Sequence, residues 1–182
     1  VINEKKTGFN PLVIFGDSGI GKTHLLKGFS EKFKRVNPRL KVHYIASEGF
    51  SSAFRSSIQR KKIKNFRTFY RSLDLLVIDD FHALTRKTKT QIEFLHTFDC
   101  LANQGKSVVV ASSEHPGAIN GLQHSLKQRL MGGLIIRLQQ PDLRSRKLIV
   151  ENGMRRMKQS LGSSVVSFLA EKFTMNVRDL VG

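Results

Sequence analysis

The chain has 182 residues, with 31 lysines and arginines against 14 aspartates and glutamates, a net charge of +17. That length accommodates one α/β domain and a small appendage, and no apolar run approaches the roughly 18 residues that a membrane span requires. A single cysteine, Cys100, excludes an internal disulfide and fits a cytoplasmic setting, while the cationic surplus favours polyanionic partners, nucleic acid first.

In chain order, Leu12-Val13-Ile14-Phe15 reads as a short buried strand, followed directly by Gly16-Asp17-Ser18-Gly19-Ile20-Gly21-Lys22-Thr23. Leu25, Leu26, Phe29 and Phe33 then recur at helical spacing until Asn37-Pro38 ends the helix. Val42-His43-Tyr44-Ile45-Ala46 predicts a second strand; Phe50, Phe54 and Ile58 mark a helix, and Ile63, Phe66 and Tyr70 a shorter one. Leu75-Leu76-Val77-Ile78 predicts a buried strand ending in Asp79-Asp80, and a helix over 91–103 is closed by Gly105. Residues 108–111 and 134–136 predict the fourth and fifth strands. Continuous apolar runs separated by helices are the pattern of a parallel sheet covered on both faces. From Pro141 the pattern turns all-helical, with Asp142, Ser163 and Asn176 as expected caps. The expected organisation is an α/β domain over 1–140 and an incomplete helical domain over 141–182. Because Val1 is not an initiator methionine and a helix is expected to start near the last residues, a segment of a longer protein is expected.

The run at 16–23 matches G-x-x-x-x-G-K-[ST] in its required setting, strand before and helix after. Backbone N–H groups of such a turn, and the helix N-terminus behind it, point at phosphates. Gly16, Asp17, Ser18, Gly19, Ile20 and Gly21 therefore form the expected cradle for a nucleoside triphosphate. Lys22 is expected on the β- and γ-phosphates and Thr23 on Mg²⁺. Such a loop needs an acidic partner at the end of a neighbouring strand. Asp79 fits that place as a Mg²⁺ holder, directly or through water, and Asp80 as the group that orients or deprotonates the attacking water. Ser113, in the polar run that ends the fourth strand, is expected near the γ-phosphate or that water.

Residues 55–71 contain Arg55, Arg60, Lys61, Lys62, Lys64, Arg67 and Arg71 without one acid, interleaved with Phe66, Phe69 and Tyr70. Basic residues beside aromatic platforms suit single-stranded nucleic acid. The aromatic spacing is also what helix packing demands, so the rings are assigned to the core, and Arg55, Lys61, Lys62 and Lys64 are taken as the DNA-binding candidates. His24 and His96 are expected as partly buried helix residues, and no His/Cys cluster has metal-ligand spacing.

Several stretches together resemble the AAA+ ATPase domain of the bacterial chromosomal replication initiators, the DnaA family. They include Asn10-Pro11-Leu12-Val13-Ile14-Phe15-Gly16, Gly19-Ile20-Gly21-Lys22-Thr23-His24-Leu25-Leu26, Ser47-Glu48-Gly49-Phe50, Asp74-Leu75-Leu76-Val77-Ile78-Asp79-Asp80, Glu93-Phe94-Leu95-His96-Thr97-Phe98 and Asn176-Val177-Arg178-Asp179-Leu180. The resemblance implies a five-stranded parallel sheet, a helical lid, ATP with Mg²⁺, self-assembly into a filament on origin DNA, and contact with the replicative helicase or its loader. By the same resemblance Arg129 is similar to an arginine finger acting across subunits, and Arg178 to a lid arginine that contacts ATP. Lys87 and Lys89 match positions that hold single strands. The chain departs from the family at Ser113, where a carboxylate is usual, and at Ser125, where an interface arginine is usual. It departs again in the lid, at Asp179-Leu180-Val181-Gly182. Two alternatives share the core motifs: a helicase-loader-like ATPase, and a regulatory paralogue that binds nucleotide without turning it over. A metabolic kinase is disfavoured by the charge.

Overall fold

A computed structural model describes residues 9–173. Among them, five strands form one all-parallel sheet: β1 (Leu12–Phe15), β2 (Val42–Ala46), β3 (Leu75–Asp79), β4 (Ser107–Ser112) and β5 (Leu134–Arg137). Their order is β2-β3-β4-β1-β5, so the two strands that lead into the glycine loop and the paired aspartates flank β4. The helices are α1 (Lys22–Val36), α2 (Ser47–Gln59), α3 (Ile63–Arg71), α4 (Thr88–Asn103), α5 (His124–Met131), α6 (Leu143–Arg156) and α7 (Ser163–Lys172). Phe81–Leu84 forms a 3₁₀ turn after β3. The chain gathers into two compact units, one of β1 with Lys22–Arg137, the other of Gly16–Gly21 with the chain from Leu138 on.

Burial follows position in the sheet. β3 has neighbours on both edges and is buried at all five residues, which its unbroken apolar run anticipates. β2, at an edge, is half-buried throughout. The core runs through Leu76, Ile78, Phe81, Phe94, Leu101 and Leu126. Phe50 of α2 is its aromatic hub: edge-on rings of Phe66, Tyr70 and Phe94 lie 5.3, 4.9 and 5.8 Å from it. Phe66 and Tyr70 are therefore core, as the spacing predicted. Phe69 is not; it is 48% exposed, with its edge against His43.

Polar groups fix the ends of the strands. Asn10 substitutes for a strand residue: its Nδ2 donates to the Lys106 carbonyl at 2.8 Å and its Oδ1 accepts from the Val108 amide at 2.9 Å. Asp74 accepts from the Lys41 amide at 2.8 Å and from the Lys106 ammonium, joining the entries to β2, β3 and β4. Burial pushes the Asp74 carboxyl up, but the bonds from Lys106 and the Lys41 amide outweigh it and hold the group below its usual range.

In the second unit Asp142 caps α6, accepting from the Ser145 amide at 2.7 Å. Arg146 donates to the carbonyls of Pro141 and Ala170, both at 2.7 Å, and so ties α6 to the last turn of α7. Several expectations need correction. The cap of α7 is Gly162, not Ser163, which begins the helix with no side-chain cap. Leu25 and Ile58 have the expected helical spacing but are exposed, Leu25 at the rim of the apolar stripe of α1 and Ile58 in the last turn of α2. His24 and His96 are exposed rather than partly buried. The cap expected at Asn176 lies outside the described residues.

Candidate nucleotide site and basic face

The loop that joins β1 to α1 has its glycines where other residues would be strained. Gly19 and Gly21 have φ of 79° and 103°. A Cβ at Gly16 would lie 2.6 Å from the Leu138 carbonyl oxygen. Asp17 and Ser18 are exposed and Ile20 is buried. Lys22, only 7% exposed, opens α1.

Next to it, the Thr23 hydroxyl donates to Asp79 Oδ2 at 2.6 Å. Asp79 is the last residue of β3 and 1% exposed, and its Oδ1 accepts from the Asp80 amide at 2.9 Å. The structure thus brings together the two residues expected at Mg²⁺. Among the described residues no group of three or more His, Cys, Asp or Glu side chains converges on a metal. A hydroxyl and one carboxylate nonetheless suit this ion, which keeps several waters and takes further oxygens from substrate phosphates. Asp80 is exposed and left-handed, with φ 51° and ψ 46°.

The sequence reading missed one partner in this cluster. Tyr44 of β2 donates its hydroxyl to the same Asp79 Oδ2 at 2.8 Å. The register explains the reach: Ala46 stands opposite Asp79, and Tyr44 shares its face two residues back. Burial, then the hydrogen bond to Asp79, pushes the phenol above its usual range, so it remains a donor at neutral pH.

Ser113, just past β4, donates its backbone N–H to Nδ1 of His82 at 3.4 Å. Arg129 of α5 is exposed, and its Nε donates to Asp99 Oδ1 on α4 at 2.8 Å. Its approach is prepared by buried Gln91, whose Nε2 donates to the carbonyls of Leu84 and Gly121 and whose Oε1 accepts from the Gln123 amide that precedes α5. Arg178 lies outside the described residues.

The family model of the bacterial DnaA ATPase domain matches residues 1–137. The chain belongs to the DnaA family. It is 39% identical to the chromosomal replication initiator protein DnaA of Thermomicrobium roseum over 96% of this chain and 37% of that protein. The chain thus spans little more than a third of that relative's length. Domain III of the Thermotoga maritima DnaA superposes with a TM-score of 0.91 at 36% identity, covering 96% of this chain and 73% of that one. A replication initiator DnaA bound to AMPPCP and single-stranded DNA superposes at 0.84 with 32% identity, covering 96% and 54%. The DnaC helicase loader, at 13% identity and a TM-score of 0.65, shares the fold alone.

The basic candidates of this DnaA-family domain lie in two places. Arg55 is exposed on α2, Lys61 and Lys62 on the α2–α3 turn, and Lys64 on the first turn of α3. Lys87 and Lys89 stand at the start of α4. Neither α3 nor α4 has an acid in its first turn, so each places cations at the positive end of its dipole. That is a local cost, and a bound phosphate would relieve it. Arg67 and Arg71 are occupied differently. Glu93 of α4, 3% exposed, accepts from Arg67 at 2.7 Å and Arg71 at 3.0 Å, so these two fasten α3 to α4. The hydrogen bonds and charge of Glu93 raise the Arg67 pKa further.

Proposed function

We propose that this chain is the ATP-binding, DNA-remodelling ATPase domain of a replication initiator, with ATP binding favouring assembly and hydrolysis resetting it. The observation that carries the reading is the Thr23–Asp79 pair, which links the first turn behind the glycine loop to the acidic end of β3. The relative bound to AMPPCP and single-stranded DNA supports both ligand classes for this chain.

In this reading the amides of residues 16–21 and the Lys22 ammonium neutralise the phosphates. Thr23 and Asp79 hold Mg²⁺, whose charge, when it is bound, offsets that building on the phosphate oxygens. Asp80 orients the lytic water, and Ser113 holds the γ-phosphate side of the site through a neutral hydroxyl. Arg129 of one protomer acts on the nucleotide of the next, and Arg178 contacts ATP within its own. Residues 1–140 form the nucleotide-binding domain and 141–182 the helical lid. Arg55, Lys61, Lys62, Lys64, Lys87 and Lys89 hold single-stranded origin DNA inside the assembly, which also engages the helicase or its loader. The protein works in the cytoplasm at the nucleoid; among the described residues no helix is long and apolar enough to cross a membrane.

The test is ATP and ADP affinity with turnover in the full-length protein, beside Lys22→Ala and Arg129→Ala. Lys22→Ala is expected to abolish nucleotide binding, and Arg129→Ala to keep binding but lose hydrolysis or assembly. A wild type that binds ATP yet neither hydrolyses it nor assembles would make the chain a regulatory paralogue, the outcome that Ser113 favours. No nucleotide binding would defeat both readings.

A further inference from the structure

We propose that Tyr44 is a positioning residue that dedicates the Asp79 carboxylate to Thr23, so that Asp79 acts on a divalent cation through the Thr23 oxygen rather than as its direct ligand. The inference rests on the nucleotide-site reading above and assigns it a residue that the phosphate-loop motif does not contain.

A carboxylate oxygen offers two lone-pair directions. On Asp79 Oδ2 both are taken, by the hydroxyls of Thr23 at 2.6 Å and Tyr44 at 2.8 Å. On Oδ1 the Asp80 amide takes one at 2.9 Å. Three donors on a side chain 1% exposed leave the carboxylate no rotation that does not strand one of them. The Thr23 oxygen, having given its hydrogen to Asp79, keeps its own lone pairs for a cation. Thr23 is an exposed residue and Asp79 a buried one, so the threonine is the more accessible member of the pair.

Tyr44 is itself held. Its ring lies 5.7 Å from the Lys27 ammonium, one helical turn beyond Thr23 on α1, and its backbone is paired to β3. Without the phenol hydroxyl, Oδ2 keeps a single donor and the carboxylate can turn away from Thr23.

The experiment measures binding of a fluorescent ATP analogue to the full-length protein in EDTA and across a MgCl₂ titration. It compares wild type, Tyr44→Phe and Thr23→Ala, with the melting temperature of each. Tyr44→Phe is expected to leave metal-free affinity near wild type, to lower the melting temperature by only a few degrees, and to cut the Mg²⁺-dependent gain by about five- to tenfold, the scale of one ordinary hydrogen bond. Thr23→Ala is expected to remove that gain. If Thr23→Ala removes it and Tyr44→Phe keeps it whole, the role of Tyr44 is overturned while the metal site stands. If Tyr44→Phe weakens metal-free and metal-dependent binding alike, its role is structural and the proposal again fails. If Thr23→Ala retains the full gain, the metal-site reading beneath the proposal falls, and the proposal with it.

Discussion

Arg129 and Asp99 are paired on the surface of the same chain, so in the reading proposed above Arg129 must leave that partner before it acts on a neighbouring subunit. An exposed ion pair of this kind contributes at most about 1 kcal/mol. Asp99→Asn is therefore expected to raise ATP-dependent assembly or turnover by up to about fivefold and to reduce its salt dependence; an unchanged rate would show that the pair does not restrain Arg129. His43 provides a second test at this scale. Burial, then the nearby Lys34 charge, lowers its pKa in the folded state. Below the ordinary histidine value of about 6.5 the unfolded chain binds the proton that the folded chain resists, so stability falls with pH from there until the folded pKa is passed. Urea midpoints at pH 7.5 and 5.5 should differ, and His43→Phe should narrow the difference.

At the scale of elements, buried Gln91 ties the turn after β3, the loop at Gly121 and the entry to α5 with three hydrogen bonds. Replacing it by alanine takes the partner from the Gly121 carbonyl and the Gln123 amide, while the Leu84 carbonyl keeps its bond from the Lys87 amide; the expected cost is roughly 2 kcal/mol, read from urea unfolding. The strands themselves were legible, because a strand buried on both faces must be a continuous apolar run, and Leu75–Ile78 is one. The phosphate loop was legible because its glycines answer to backbone geometry written locally. Gln91 and Glu93 were not, since their partners lie in other elements and no spacing rule links them. Residues 55–71 contain no acid, yet the counter-ion of Arg67 and Arg71 comes from α4. Tyr44 was hidden for the same reason: its partner is set by strand register, which an apolar run does not specify.

For the whole molecule, the +17 charge reads differently once these pairs are removed from the count. Arg67 and Arg71 hold the fold, whereas Arg55, Lys61, Lys62 and Lys64 remain outward with Lys89. If Lys64 and Lys89 each meet a phosphate, Lys64→Ala with Lys89→Ala should lower the salt slope of single-strand binding by about 0.7 per residue. The loss should be uniform across sequences, and an unaltered slope would move the DNA path elsewhere.

The strand order also has a consequence for synthesis. β1 is made first among the strands, yet its partners are β4 and β5, with Leu12 opposite Val109 and Leu134. Leaving a ribosome at roughly 5–20 residues per second, an apolar ribbon of Leu12, Val13, Ile14 and Phe15 waits on the order of ten seconds before its first edge is covered. Nascent chains of this topology are exposed to aggregation through that interval, and a chaperone that shields the first strand will raise the yield of folded protein more than one that acts after release.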